Sequence, residues 1–207
     1  LTHVDIINAN TIGFGDFANC TSLTTVYLNA VEIADQIFVN YTSITGVTLG
    51  PDVATIGARA FDGCVNLSGS LTIPSGVRNI ENEAFENTKF ESLTIESGAT
   101  GIGADAFRGL SSITGDITIP SSVDIIGNGG FYGLGGDHIY IDARELVGNA
   151  FGFGTYTGVT LGPNVERLGS RCFYSSTPNI QTFTNNSTNL KYIGSYAFRF
   201  QDGITSF

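Results

Sequence analysis

Short apolar–polar–apolar triplets recur along the chain: Val4-Asp5-Ile6, Val26-Tyr27-Leu28, Val47-Thr48-Leu49, Leu71-Thr72-Ile73, Leu93-Thr94-Ile95, Ile117-Thr118-Ile119, Ile139-Tyr140-Ile141 and Val159-Thr160-Leu161. Gln181-Thr182-Phe183 reads as a degraded ninth. Alternation at period two in β-branched residues predicts a strand with one face buried and the other in water. A second signal keeps step with the first. Phenylalanine recurs at 17, 38, 61, 85, 107, 131, 151, 173 and 198, at intervals of 20 to 25 residues. Five residues before each one, with a slippage of one, stands an aliphatic column: Ile12, Ile33, Ile56, Ile80, Ile102, Ile126, Val147, Leu168 and Ile193. Gly usually follows that column, and Ala often precedes the Phe. Pro51, Pro74, Pro120 and Pro163 follow their triplets, where a residue without an N–H ends a strand.

One unit of this length cannot bury its own Phe, Ile and strand residues. Stacked units can, so the pattern predicts a solenoid in which Phe lies over Phe and strands pair in parallel, one rung at a time. The expectation is a single array over residues 1–207, about nine rungs of 22–23 residues, with units starting near 12, 33, 56, 80, 102, 126, 147, 168 and 193. At about 4.8 Å per rung this is a rod roughly 40 Å long. The side away from the sheet is expected to hold mostly turns, with short helical or 3-10 turns among them. No amphipathic cap is recognisable at either end, and a strand is expected to begin at residues 203–207. The ends therefore read as uncapped and as part of a longer array, with end-to-end contact to further repeats as the other option.

The repeated unit, as in Ile56-Gly57, Ala60-Phe61, Cys64, Leu67, Ile73-Pro74 and Val77, resembles the leucine-rich repeat of the BspA type, also called the Treponema pallidum type. The resemblance covers essentially the whole chain. Departures are the loss of the Cys column outside Cys20 and Cys64, and a polar insertion at 184–191. It implies a right-handed solenoid with a parallel sheet on its concave face. It also implies an extracellular or cell-surface protein that binds host or neighbouring-cell molecules.

Composition narrows the partners. Asp+Glu number 19 against Lys+Arg 9, a formal charge of −10, which disfavours nucleic acid, because phosphate binding needs clustered cations. Anionic membrane surfaces are disfavoured for the same reason. No apolar run approaches the 18 or so residues of a membrane span.

Residues with chemical potential are few. His3 and His138 occupy one column six rungs apart, about 29 Å by the rung spacing, too far to share a metal. Cys20 and Cys64 stand two rungs apart, about 9.6 Å, and a disulfide needs Cα atoms within about 7 Å. Cys172 takes a place that Ala fills elsewhere and reads as core. Gly13-Phe14-Gly15 and Gly101-Ile102-Gly103 lack the long helix and distal acid of a dinucleotide site. Tyr132–Asp137 is similar to a calcium-binding glycine/aspartate repeat but occurs once. Glu81, Glu83, Glu86, Glu91 and Glu96 form an acidic cluster that faces only Lys89, without a histidine to make it catalytic. Asn-x-Ser/Thr sequons at Asn19, Asn40, Asn66, Asn185 and Asn186 matter only in a secretory setting. The expectation is no enzyme, no cofactor and no metal.

What remains is the exposed centre of each triplet. Along the array it reads Asp5, Tyr27, Thr48, Thr72, Thr94, Thr118, Tyr140, Thr160 and Thr182. Thr suits strands on its own account, but an exposed Tyr on a Thr sheet is a natural anchor for a partner. The sequence therefore points to a non-enzymatic recognition or adhesion module. Its protein or glycan ligand would lie across Tyr27, Thr48, Thr72, Thr94, Thr118, Tyr140 and Thr160. A structural spacer or self-assembling unit is the alternative, with an ice-binding Thr array as a minor one.

Overall fold

The computed structural model describes residues 1–13 and 15–204. The expected strand start at 203–207 lies for the most part outside the described residues. Among the described residues the chain winds through nine turns, and every strand pairing is parallel.

The triplets form the broad sheet face. Their strands are His3–Ile12, Thr25–Ile33, Gly46–Leu49, Ser68–Ile73, Lys89–Ile95, Ile117–Ile119, His138–Ile141, Gly158–Leu161 and Thr182–Asn185. Outer triplet residues such as Leu71, Ile73, Ile117 and Ile119 are buried, while Thr72 and Thr118 between them face water. The pairing lapses twice, between Gly46–Leu49 and Ser68–Ile73 and between Lys89–Ile95 and Ile117–Ile119. At both places extra chain enters just before the triplet, through Gly69 and Gly115, whose φ of 79° and 78° suit glycine. Single bonds still tie the turns there, Ser68 N–H to Thr45 O and Thr114 N–H to Glu91 O.

A second, unbroken parallel ladder runs along the flank. It continues from the far ends of His3–Ile12 and Thr25–Ile33 into two-residue strands at Thr55–Ile56, Asn79–Ile80, Gly101–Ile102, Ile125–Ile126, Glu145–Leu146, Arg167–Leu168 and Tyr192–Ile193. This is the aliphatic column, with one correction. Leu146, not Val147, pairs with Ile126 and Leu168 and is buried, so the slippage in that unit is absorbed one residue earlier.

The third side is an arch of turns, and among the described residues it contains no helical turn of either kind. The reason is a pair of left-handed positions flanking each column Phe. Two residues before it stand Gly15, Gln36, Arg59, Glu83, Asp105, Gly129, Asn149, Arg171 and Tyr196, and two after it Asn19, Asn40, Gly63, Asn87, Gly109, Gly133, Phe153, Ser175 and Phe200, all with φ between 53° and 90°. A left-handed residue every fourth position forbids the run of right-handed residues that a helix requires. N–H groups on the arch instead cross to the next turn, as from Phe38 to Ala60 O and from Phe61 to Ala84 O. For non-glycine residues this conformation costs about 1–2 kcal/mol each. The stacked core offsets that cost.

That core is a ladder of rings. Consecutive column phenylalanines from Phe17 to Phe198 stack with centroids 5.0 to 5.8 Å apart. Phe38 through Phe173 are fully buried. Each ring meets its neighbours above and below, so burial in one turn depends on the next.

Candidate functional site

The strand register decides which triplet residues form one row. Asp5 pairs with Tyr27 and Tyr27 with Thr48; Thr72 pairs with Thr94; Thr118 pairs with Tyr140, Tyr140 with Thr160 and Thr160 with Thr184. The seven predicted contact residues thus lie in three paired groups, separated by the two lapses. At the ninth rung the row continues through Thr184 rather than Thr182, which pairs with Gly158. Thr48, Thr72, Thr94 and Thr118 are exposed, Thr160 is half-exposed and Tyr140 is 42% exposed. Tyr27 is only half-exposed, so the two tyrosines are not equivalent.

Tyr140 is the best-supported residue of the row. His138, two positions earlier and so on the same face, lies with its ring centroid 4.4 Å from the Tyr140 ring. The other side of the imidazole is tied down, with Nε2 2.8 Å from Thr160 Oγ1. Gly158 opposes His138 in the register, and a Cβ there would meet His138 Nδ1 at 2.1 Å. A glycine at 158 is therefore what lets the imidazole lie across the next strand. Together, His138, Tyr140 and Thr160 form a fixed polar-aromatic cluster. Beside it a depression of about 350 Å³ is lined by Thr118, Pro120, Tyr140, Asp142, Thr160 and Pro163. Its rim is braced by Asp142, whose carboxylate accepts from the Asn164 N–H at 2.9 Å and from Asn164 Nδ2 at 2.8 Å.

A weaker version of the cluster stands at the first rung. His3 lies 2.6 Å from Thr25 Oγ1 through Nδ1 and 2.9 Å from Asp5 Oδ1 through Nε2. The rung spacing separates the two histidines, as the sequence implied, but it does not reveal that each braces the sheet face. The signal was present in the chain as His-x-Asp and His-x-Tyr, with the second residue at a triplet centre.

The acidic cluster needs correcting. Glu83 is paired with Arg59 at 3.2 Å and Glu86 with Arg108 at 3.7 Å, so Lys89 is not its sole counter-charge. Glu96 accepts a hydrogen bond from the Ser75 N–H. Burial, then the neighbouring Asp62 carboxylate, raises the Glu86 carboxyl above its ordinary value. Among the described residues no cluster of three or more His, Cys, Asp or Glu is placed to hold a metal ion. The three cysteines are free thiols, and burial pushes Cys64 up to about 12 and raises Cys172 as well. No helix of the described residues is long and apolar enough to cross a membrane.

A strand, a flank column and an arch repeated through nine stacked turns define a leucine-rich-repeat solenoid. The model of the BspA type leucine-rich repeat region matches the chain in six copies over residues 1–114, 31–152 and 138–207. The chain belongs to that family, whose repeats are in general protein-interaction modules. No curated protein sequence matches it significantly. Among solved structures it is similar to the T. pallidum leucine-rich repeat protein, with 24% identity over 82% of this chain and 72% of that one, at a TM-score of 0.61. It is also similar to a leucine-rich cell surface protein of Faecalibacterium prausnitzii A2-165, with 21% identity and a TM-score of 0.57. That match covers 91% of this chain and 48% of the other, so the chain spans about half the length of the Faecalibacterium protein. Both similarities are similarities of fold.

Proposed function

We propose that this chain is a non-enzymatic recognition module that binds a protein or glycan partner across its sheet face, on a cell surface. The footprint would take in Tyr27, Thr48, Thr72, Thr94, Thr118, Tyr140 and Thr160. The observation that carries this reading is the bracing of Tyr140 by His138 and Thr160 beside an open depression. An exposed aromatic ring that is already fixed loses little freedom on binding, and this is what makes a good anchor. The uncharged Thr row around it offers hydroxyl donors and acceptors without the desolvation cost of charges. The surface location takes its support from the family, and from a relative in fold described as a cell surface protein.

A spacer reading has one observation in its favour. Ser92 and Ser70 hydrogen-bond across the sheet face at 2.8 Å, which gives that part of the face a structural role. The test is a screen of the purified chain against matrix proteins, cell-surface extracts and a glycan array, with the Thr72→Lys/Thr118→Lys variant alongside. A hit that the variant loses supports recognition by the sheet face. No hit, or a hit the variant keeps, supports the spacer.

A further inference from the structure

The arch of turns, on the side away from the triplets, carries charge and aromatic residues in a sequence of its own. Its third to fifth turns hold Asp62, Glu83, Glu86 and Asp105 around Arg59 and Arg108. Four carboxylates against two guanidinium groups leave this stretch acidic. Next comes a run of rings one or two residues after the column Phe: Tyr132, Phe153, Tyr174 and Phe200. Their centroids step along the arch at 5.2, 5.4 and 5.4 Å. Phe153 is 47% exposed and Phe200 51%. The last two turns add Arg171 and Arg199, both exposed. Neither has an ion pair among the described residues, in a chain of net charge −10. They rest on tyrosine and phenylalanine rings instead, Arg171 5.8 Å from Tyr174 and Arg199 5.0 Å from Tyr196 and 4.8 Å from Phe200.

Exposed aromatic rings flanked by unpaired arginines call for an anionic partner, and the chain itself carries one. The acidic turns lie on the same arch, about as far to one side of Tyr132 and Phe153 as the arginines lie to the other. We infer that two copies of this chain pair through their arches, antiparallel, about a two-fold axis between Tyr132 and Phe153. Arg171 of one copy then faces Asp105 of the other, each on the second turn out from the axis. Arg199 faces Glu83 and Glu86 in the same way. The two-fold repeats both contacts, and it brings the Tyr132 and Phe153 rings of both copies together at the centre. A closed two-fold pairing of this kind uses one self-complementary patch on both partners. With Asp62 buried and neutralised by Arg59, Glu83, Glu86 and Asp105, less Arg108, are matched by Arg171 and Arg199 of the facing copy. The arch is narrow, so the contact belongs with small, transient interfaces that bury less than about 1,200 Å².

This surface is opposite to the one proposed for recognition, and the two stand or fall separately. Sedimentation velocity on the purified chain tests the pairing over a series reaching about 500 µM, as a micromolar dissociation constant requires. The expected result is a weight-average mass rising from 21.8 kDa towards twice that value and no further. Two charge swaps sharpen the test, and each uses residue types that the same columns already hold. Arg171→Glu/Arg199→Glu makes the arch acidic throughout, and Glu83→Arg/Asp105→Arg makes it basic. Each variant alone is expected to stay monomeric, with circular dichroism and a melting curve verifying that it is folded. An equimolar mixture is expected to recover the dimer. A wild-type chain that stays monomeric through the series would overturn the inference. So would a swapped variant that dimerises as wild type does, or growth beyond the dimer that the swaps leave intact.

Discussion

Phe61 and Phe85, 24 residues apart in the chain, stack with centroids 5.1 Å apart and ring planes 2° from parallel. The contact is part of a column that runs from Phe17 to Phe198, and each ring from Phe38 to Phe173 has one such partner on either side. Removing a ring from mid-column should therefore cost contacts in three turns. Phe131→Ala leaves Phe107 and Phe151 facing a void where each had a partner at 5.0 Å. A loss of about 3–5 kcal/mol in unfolding free energy is expected by chemical denaturation. A loss below 1 kcal/mol would mean the column can close over the gap.

Gly158 is expected to control the Tyr140 anchor without touching it. The chain has two histidines, so their ring protons are readily assigned by NMR with His3→Gln as reference. Gly158→Ala should displace the His138 ring and move its resonances, because the Tyr140 ring lies 4.4 Å away, while those of His3 stay in place. Unmoved His138 signals would show that the imidazole does not sit over residue 158.

Thiol reactivity should follow burial. Cys64 and Cys172 are fully buried, and Cys64 also donates to Phe38 O. Their raised pKa values leave almost no thiolate at pH 8, whereas Cys20 is partly exposed. One thiol per chain is expected to react with a disulfide reagent in the native protein, and three after denaturation. Three fast thiols in the native state would contradict the packing.

How much of this was legible beforehand differs by level. The Phe column and the triplets could be read from the chain, because a period of about 22 residues carried by large apolar side chains has few other physical explanations. The arch could not. Its left-handed positions are held by Arg59, Glu83, Asp105 and Phe153 as often as by glycine or asparagine. Tertiary stacking, not local preference, puts them there. The sheet lapses escaped notice because Gly69 and Gly115 look like ordinary turn glycines. The row of Thr and Tyr was readable, but the bracing of Tyr140 depends on a register linking His138, Gly158 and Thr160 across two strands.

Glu86 supplies a pH test. A carboxyl whose value is raised in the fold contributes stability below its ordinary value of 4.5 and loses it as the pH climbs through the raised one. Wild type therefore carries a small penalty at neutral pH that Glu86→Gln removes. The variant is expected to melt about 1–2 °C higher than wild type at pH 7, with the gap closing by pH 4. A gap of the same size at both pH values would assign the effect to packing instead.

The central claim is that partners are held on the sheet face, and one comparison of binding isotherms tests it most directly. The strongest hit from the screen is titrated against wild type, Tyr140→Ala/Thr118→Lys, and Arg171→Glu/Arg199→Glu, with a melting curve for each. The account predicts at least a tenfold loss of affinity in the first variant, an unchanged affinity in the second, and similar melting temperatures in all three. Full affinity in the first variant and lost affinity in the second would move recognition to the arch and contradict the account.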